Sequence, residues 1–293
     1  MNDDFSALRN MKYSGRGIMI GLTLDEKPFI GYSLTGRSPP SQARKLEYDP
    51  NQKIISTQVT DKEQLAKGNA ALLIYQAVAF VGNGLMIASN GRQTRLLMDA
   101  FYSGERSPIH ILTKANEIPI IEEIPGIDGK IEKIDLTSFE PDSNFTPRIG
   151  GCISNCIDEK LGSSRLGAFY IVRKSSNSSN DKPFFDLLPI KLEPGQARMI
   201  TTYKGDNESP LLLPFTGNPL EMTVASTTAE KICKSLYGAI GPKDRENYRV
   251  AAAVMLMKNN KEVDVAHINR SERKLLEFLQ TLFSYIFLFL ISY

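Results

Sequence analysis

Polar residues that could bind an anion cluster where the predicted strands of this 293-residue chain end. They lie at positions 13–17, 36–38, 75, 90–94, 140–148 and 201–203. Arginine guanidinium groups and backbone amides at strand-to-helix turns are the donors that a phosphate requires. The residues alone therefore predict a site for a small phosphorylated or carboxylated ligand.

Standard catalytic and metal-binding motifs are missing from the sequence. It has no phosphate-binding loop, no dinucleotide fingerprint, no paired-histidine zinc motif and no nucleophile elbow. His110 and His267 have no obvious Ser or Cys partner, which argues against a histidine-based triad. Cys152, Cys156 and Cys233 are too few for a disulfide scaffold and wrongly spaced for a zinc knuckle. We interpret them as idle thiols in a reducing cytoplasm and expect no metal.

The composition is that of an ordinary globular protein. Lys and Arg total 35 and Asp and Glu total 33, so the formal net charge is +2. This balance excludes a polybasic nucleic-acid binder and a self-repelling disordered chain. Because 42% of the residues are hydrophobic, the chain can bury a sizeable core.

Short apolar runs separated by turn residues predict many strands and few helices. Two predicted hairpins join residues 70–80 to 85–89 and residues 249–257 to 262–268. Apolar residues at helical spacing predict a helix over 226–237, with Thr227 and Glu230 as its capping box. The other predicted elements are strands over 16–22, 27–35, 53–59, 149–157, 168–173, 184–192 and 198–203, a helix over 93–102 and a polar surface loop over 175–182.

The domain organisation follows from the lack of repeats and linkers. We predict one domain over residues 1–270 and an apolar C-terminal tail over 271–293. The uninterrupted apolar stretch of the tail is shorter than the roughly 20 residues of a membrane-spanning helix. Three interpretations remain open for it: a helix that covers the core, an interfacial or tail anchor, and a non-native extension. The polar N-terminus lacks the features of a signal peptide, so we predict a cytoplasmic protein and expect no membrane association, apart from the open interpretation of the tail.

An ordered series of segments resembles the archaeal-type IMP cyclohydrolase family and its bacterial relatives. The segments are YSGRGIMIG, GYSLTGRS, LLIYQAV, IASNGRQT, FEPDSNFTPRI, ITTYKGD and LPFTGNP. The resemblance runs over about residues 12–268 and implies an α+β fold, a four-layer αββα sandwich like that of N-terminal-nucleophile hydrolases. It also implies the last step of de novo purine synthesis. In that step the carboxamide nitrogen of formylated aminoimidazole carboxamide ribonucleotide attacks the formyl carbon, and water leaves to give IMP.

The site residues are predicted from this resemblance together with the chemistry. Closing a ring within one molecule depends mainly on holding its two reacting groups together, so no cofactor is expected. Tyr75 or Arg148 could donate to the formyl oxygen as it gains charge, and Glu140 or Asp142 could transfer a proton. The predicted contacts with the purine ribonucleotide are Arg37 and Ser38 at the 5′-phosphate, with Arg16 as a weaker candidate, Asn90, Gln93 and Thr94 at the carboxamide or ribose, and Arg44, Gly91, Thr202 and Tyr203.

Departures from the family pattern keep other functions open. Pro39 and Pro40 stand where an acid and an amide are usual, Arg95 replaces a carboxylate, and Arg198 lies where a histidine is usual. They motivate the alternative of a diverged, inactive protein that binds a purine nucleotide on the same scaffold. A third interpretation, an amide hydrolase with an N-terminal nucleophile, has only Ser6 as its candidate near the start of the chain. A homo-oligomer remains possible.

Overall fold

The computed structural model describes residues 2–125, 131–157, 165–175, 182–205, 212–241 and 246–273. Its strands are β1 (Arg16–Leu22), β2 (Pro28–Thr35), β3 (Arg44–Asp49), β4 (Ile54–Val59), β5 (Gln76–Gly82), β6 (Leu85–Ser89), β7 (Ile121–Pro125), β8 (Ile131–Asp135), β9 (Arg148–Ile157), β10 (Arg165–Lys174), β11 (Pro183–Leu192), β12 (Gln196–Thr201), β13 (Leu220–Thr223), β14 (Arg249–Met257) and β15 (Val263–Asn269). Its helices are α1 (Ser6–Arg9), α2 (Pro39–Gln42), α3 (Lys62–Leu65), α4 (Ala70–Leu73), α5 (Thr94–Tyr102), α6 (Pro108–Lys114) and α7 (Ala229–Ala239).

The described strands form three antiparallel sheets. A six-stranded sheet has the order β13-β12-β1-β2-β14-β15, and a seven-stranded sheet has the order β11-β10-β9-β6-β5-β4-β3. The hairpin of β7 and β8 forms a third, two-stranded sheet. Strands that follow each other in the chain often pair as hairpins, which requires the antiparallel arrangement.

The main hydrophobic core lies between the two large sheets. In β1, Ile18 and Ile20 belong to this core, whereas Met19 belongs to a second cluster on the opposite face, which it shares with Leu236 of α7. Successive side chains of a strand point to opposite faces of its sheet. A strand buried on both faces therefore carries an uninterrupted apolar run, as β1 does.

Helix α7 confirms the helix predicted for this region. Ile232, Cys233 and Leu236 are all buried against the six-stranded sheet. The N-cap lies one residue later than predicted. The hydroxyl of Thr228, not that of Thr227, accepts a hydrogen bond from an amide of the first turn. The prediction of Thr227 as the cap is therefore wrong.

The predicted fold class, an α+β four-layer αββα sandwich, is wrong. The described residues are β-rich, with fifteen strands in three sheets, whereas four of the seven helices have only four residues each. On the outer face of the seven-stranded sheet, the β7–β8 hairpin shares a cluster with α5 and α6. The physical reason lies in the chain itself, which contains few apolar segments long enough and of the right period to form helices.

Most predicted strands are confirmed, but one segment is wrong and several elements were missed. Residues 70–73 form helix α4 instead of a strand, and the hairpin begins only at Gln76. The missed elements are β3, α6, the β7–β8 hairpin, β13 and the short helices α1, α2 and α3. Most of the predicted loop over 175–182 and of the predicted tail, residues 176–181 and 274–293, lies outside the described residues.

Two of the three cysteines lie in the described part of the chain with their side chains. Cys152 and Cys233 are buried free thiols. Burial raises the pKa of Cys152, and it raises that of Cys233 to about 12, so both thiols stay protonated at neutral pH. The side chain of Cys156 is outside the described part of the chain. Among the described helices, none has the length and apolarity needed to cross a bilayer.

Candidate functional site

A cavity of about 630 Å³ lies between segments that are distant in the sequence. Its lining residues come from positions 13–16, 35–44, 67–73 and 140–146, together with Tyr203 and Leu212. The volume lies within the range that small ligands occupy in proteins. The cavity therefore has room for a mononucleotide.

A buried ion pair forms part of the cavity wall. Arg16 donates two parallel hydrogen bonds to Glu140, from Nη1 to Oε1 at 2.8 Å and from Nη2 to Oε2 at 3.0 Å. Nη1 also donates to the carbonyl oxygen of Asn90 at 2.8 Å. A second guanidinium, that of Arg148, has its Nη1 3.9 Å from Oε1 of Glu140. One carboxylate thus lies between two cations.

The two guanidinium groups respond differently to this environment. Burial acts to lower the pKa of Arg16, but the charge and hydrogen bonds of Glu140 outweigh burial and hold that pKa well above its ordinary value. For Arg148 burial dominates, and its pKa is lowered despite Glu140. The ordinary pKa of arginine is so high that both groups keep their charge at neutral pH. The wall therefore carries a fixed positive excess.

A layer of buried amide side chains supports this ion pair from behind. Oδ1 of Asn90 accepts hydrogen bonds from the amide of Ile149 at 2.8 Å and from Nε2 of Gln93 at 2.9 Å. Oε1 of Gln93 accepts from Nη1 of Arg148 at 3.1 Å. Asn90 and Gln93 are almost completely buried. They bind protein groups and position the two arginines.

Gly91 and Thr94 belong to the same supporting layer. A Cβ atom at Gly91 would lie 2.5 Å from Oε1 of Gln93 and 2.8 Å from Nη1 of Arg148, so this turn needs glycine. The hydroxyl of Thr94 donates to the carbonyl oxygen of Gln76 at 2.6 Å. Both residues therefore fix the junction between β6 and α5.

A chain of hydroxyl groups lines another part of the cavity. The hydroxyls of Tyr203 and Thr146 are 2.7 Å apart, and Thr146 Oγ1 donates to Oδ2 of Asp142 at 2.5 Å. The ring of Tyr203 stacks on that of Tyr13, with 5.7 Å between centroids. Gly15, at φ +72°, lies against the same ring, where a Cβ would come within 2.7 Å. The position of Tyr203 is thus fixed from several sides.

A cationic region completes the lining. The guanidinium of Arg37 lies over the ring of Tyr13, 5.0 Å from its centroid. Arg44 donates to two backbone carbonyl oxygens, and no carboxylate of the described residues lies within ion-pair distance of it. Together with Arg16 and Lys67, these groups give four cations against the two lining carboxylates. The excess of two positive charges suits a phosphate dianion.

The predicted site residues divide evenly between the cavity surface and the protein behind it. Those that line the cavity are Arg16, Arg37, Ser38, Arg44, Glu140, Asp142 and Tyr203. Those that do not line it are Tyr75, Asn90, Gly91, Gln93, Thr94, Arg148 and Thr202. All of their catalytic and binding roles stay predictions.

Tyr75 is nearly buried and does not line the larger cavity. Its hydroxyl lies 2.9 Å from the hydroxyl of Tyr32 in the main core. Tyr75 also lines a second cavity of about 330 Å³, which contains Arg92, Arg95 and Glu122. Tyr75 therefore faces the protein interior and this second cavity, and a direct contact with a ligand in the larger cavity requires a shift of its side chain.

Only two of the four departures from the family pattern reach the larger cavity. Pro39 and Pro40 line it. Arg95 lies in the second cavity, and Arg198 forms an ion pair with Glu221 at 3.1 Å, away from both. Among these four departures, the two prolines are therefore the ones that line the larger cavity.

Several lining residues were missed from the sequence. Lys67 and Asn69 flank Gly68 in a turn between two short helices, a segment for which the sequence suggested no role. Asn69 caps α4 by accepting a hydrogen bond from the amide of Ala71 at 2.9 Å. Its signal was a turn residue before an apolar run, which marks a helix start but gives no indication of a ligand.

The donor set of the site is that of an anion-binding protein. No group of three or more His, Cys, Asp or Glu side chains suitable for a metal ion occurs in the described part of the chain. The cavity instead offers arginines, a lysine, hydroxyls and stacked tyrosine rings. Fold and site together define a β-rich protein with a cationic cavity of nucleotide size.

Comparison with known proteins shows what this chain is similar to. Residues 13–110, about a third of the chain, match the family described as IMP cyclohydrolase-like protein. The chain is also similar to the IMP cyclohydrolase of Methanococcus maripaludis (strain C7), with 25% identity over 249 residues. That alignment covers 84% of this chain and 96% of the relative. The resemblance indicated by the ordered segments is confirmed.

Proposed function

We propose that this protein is an IMP cyclohydrolase, which closes formylated aminoimidazole carboxamide ribonucleotide to IMP with loss of water. The observation that carries the proposal is the cavity, which combines a cationic excess with a stacked tyrosine pair. The similarity to an archaeal IMP cyclohydrolase over most of both chains supports it.

The cationic region is assigned to the 5′-phosphate. Arg37, Ser38 and Arg44 offer guanidinium and hydroxyl donors at the cavity surface, and Arg44 has no described carboxylate partner to compete with the ligand. A guanidinium can donate two parallel hydrogen bonds to a phosphate. The stacked rings of Tyr13 and Tyr203 add an aromatic section to the cavity lining, beside the position assigned to the base.

The ion pair is assigned to the reacting groups. As the carboxamide nitrogen attacks, the formyl oxygen gains negative charge, and a fixed cation stabilises it. Arg16 lies at the cavity surface, whereas Arg148 lies behind it, so Arg16 is the direct donor and Arg148 supports it through Glu140. Glu140 keeps Arg16 in place, which leaves Asp142 as the carboxylate for proton transfer.

The direct test is turnover of the formylated ribonucleotide. Incubation with the purified protein should raise the rate at which IMP forms, followed by its absorbance and checked by chromatography, above the uncatalysed closure. Pro39 and Pro40, which add no side-chain donor to the cavity, favour a second candidate, the inactive nucleotide-binding protein. Binding of the ribonucleotide without any acceleration would establish that candidate instead.

Arg37→Lys is expected to raise KM for the ribonucleotide about 10-fold while kcat stays near the wild-type value. Lysine keeps the charge but cannot donate two parallel hydrogen bonds. Steady-state kinetics check this. The matched control is Arg173→Lys, because Arg173 also lies over an aromatic ring, that of Phe184 at 4.6 Å, but outside the cavity. An unchanged KM in Arg37→Lys would remove Arg37 from the site.

Tyr75→Phe tests the predicted catalytic role of the tyrosine. If its hydroxyl, rather than the guanidinium of Arg16, donates to the formyl oxygen, kcat should fall about 100-fold with little change in KM. Tyr32→Phe is the control, since it breaks the same hydroxyl pair from the other side. Equal stability losses with full activity in both variants would show that the pair only supports the core.

A further inference from the structure

We propose that Tyr203, Thr146 and Asp142 form a proton relay that takes the proton from the attacking nitrogen and returns it to the departing oxygen. This inference rests on the proposed cyclohydrolase function. It assigns to Tyr203 the contact with the reacting nitrogen, and to Thr146 and Asp142 the role of positioning residues that act through it.

The direction of the hydrogen bonds defines the relay. Thr146 Oγ1 donates its single proton to Oδ2 of Asp142 at 2.5 Å. The hydroxyl of Tyr203, 2.7 Å from the same Oγ1, must therefore be the donor in their contact. Its oxygen keeps lone pairs that can accept a proton from a ligand in the cavity that Tyr203 lines.

The loop that carries the relay is held in one conformation. Oδ1 of Asp142 accepts from the amide of Thr146 at 2.8 Å, so the carboxylate binds both groups of the same residue. Phe145, between them, has φ +48°, a left-handed conformation that costs a non-glycine residue energy. Strain of this kind persists where the surrounding structure fixes the backbone, and here it directs Thr146 toward Tyr203.

A relay also solves a problem that Tyr203 has as a base. Burial raises the pKa of Tyr203, which disfavours a free tyrosinate in the cavity. Passing the phenolic proton to Thr146 while another arrives leaves Tyr203 neutral. The charge change then falls on the carboxylate of Asp142, which accepts the last proton of the relay through its contact with Thr146.

The transfers balance over the reaction. The nitrogen forms its bond to the formyl carbon, the π electrons of the carbonyl move to oxygen, and the nitrogen loses a proton to Tyr203. The tyrosine proton passes to Thr146 and the threonine proton to Asp142, which becomes a carboxylic acid. The reverse movement protonates the oxygen. This hydroxyl group then leaves with the C–O electron pair. It combines with the proton of the former formamide nitrogen to give water, and that nitrogen forms the C=N bond.

The test compares variants of the full chain with the formylated ribonucleotide. Thr146→Val, nearly isosteric, and Tyr203→Phe should each lower kcat about 100-fold, with KM nearly unchanged. The double variant should be no slower than either single one, because the groups act as a unit. Thr146→Ser, which keeps the hydroxyl, should restore turnover. Because more than one proton moves through the relay, kcat of the wild-type protein should show a solvent isotope effect. This effect should disappear in Thr146→Val.

Thr137→Val is the matched control. Thr137 makes the same pair of contacts with Asp135, from its amide at 2.8 Å and its hydroxyl at 2.7 Å, away from the cavity. It should have wild-type kinetics. Wild-type kcat in Thr146→Val, or losses that multiply in the double variant, would overturn the relay while leaving the cyclohydrolase function intact. A wild-type protein that binds the ribonucleotide without accelerating closure would overturn both.

Discussion

Glu140→Gln should lower the free energy of unfolding by about 3–5 kcal/mol and abolish turnover. The carboxylate lies between the guanidiniums of Arg16 and Arg148, and all three side chains are buried. Removing its charge leaves two buried cations without the carboxylate that lies between them. Urea unfolding measures the stability loss, and steady-state kinetics on the refolded variant measure the activity.

A surface pair provides the control for this prediction. Glu221 binds Arg198 at 3.1 Å, but its side chain is 80% exposed. Glu221→Gln should therefore change the stability by less than about 1 kcal/mol. If Glu140→Gln were no more destabilising than Glu221→Gln, the buried pair would contribute nothing beyond an ordinary surface interaction.

Gly15→Ala should reduce kcat by about 100-fold or more, because it displaces the ring of Tyr203. The backbone at Gly15 has φ +72°, which alone costs alanine about 1 kcal/mol. The added Cβ would also lie 2.7 Å from Cδ2 of Tyr203, a ring that Tyr13 prevents from moving freely. Kinetics and thermal unfolding together separate the two contributions.

Gly82→Ala isolates the backbone cost. Gly82 has φ +94°, and a Cβ there would meet nothing within 4 Å. This variant should lose about 1 kcal/mol of stability and keep its activity. Loss of turnover in Gly82→Ala as large as that in Gly15→Ala would mean that general destabilisation, rather than the position of Tyr203, explains both.

The central strands were predictable because burial on both faces leaves a strong sequence pattern. The predicted bounds of β1 agree with the structure, since its apolar run is continuous. The edge strand β3 was missed because it has half-buried and exposed positions and charged residues. The fold class failed for a different reason: its four-layer sandwich was taken from the family resemblance, whereas the apolar patterns themselves predicted many strands and few helices.

The site was only half predictable, because a polar residue after a strand looks the same whether it binds a ligand or the protein. Arg37 and Asn90 both follow predicted strands, yet Arg37 lines the cavity and Asn90 holds the backbone of β9. The pairing of Arg16 with Glu140 joins residues 124 positions apart, which no local pattern can reveal. Asn269 likewise hydrogen-bonds Leu46 across 223 positions.

Both large sheets contribute residues to the cavity wall, so a bound ligand contacts both of them at once. Arg16 belongs to β1 of the six-stranded sheet and Arg44 to β3 of the seven-stranded sheet, so a bound nucleotide would join the two. Separation of the sheets would release it. A ligand whose free concentration is 100 times its Kd should raise the free energy of unfolding by about 2.7 kcal/mol. A thermal-shift screen of purine nucleotides, and protection of the chain from proteases, would therefore report affinity without any assay of turnover.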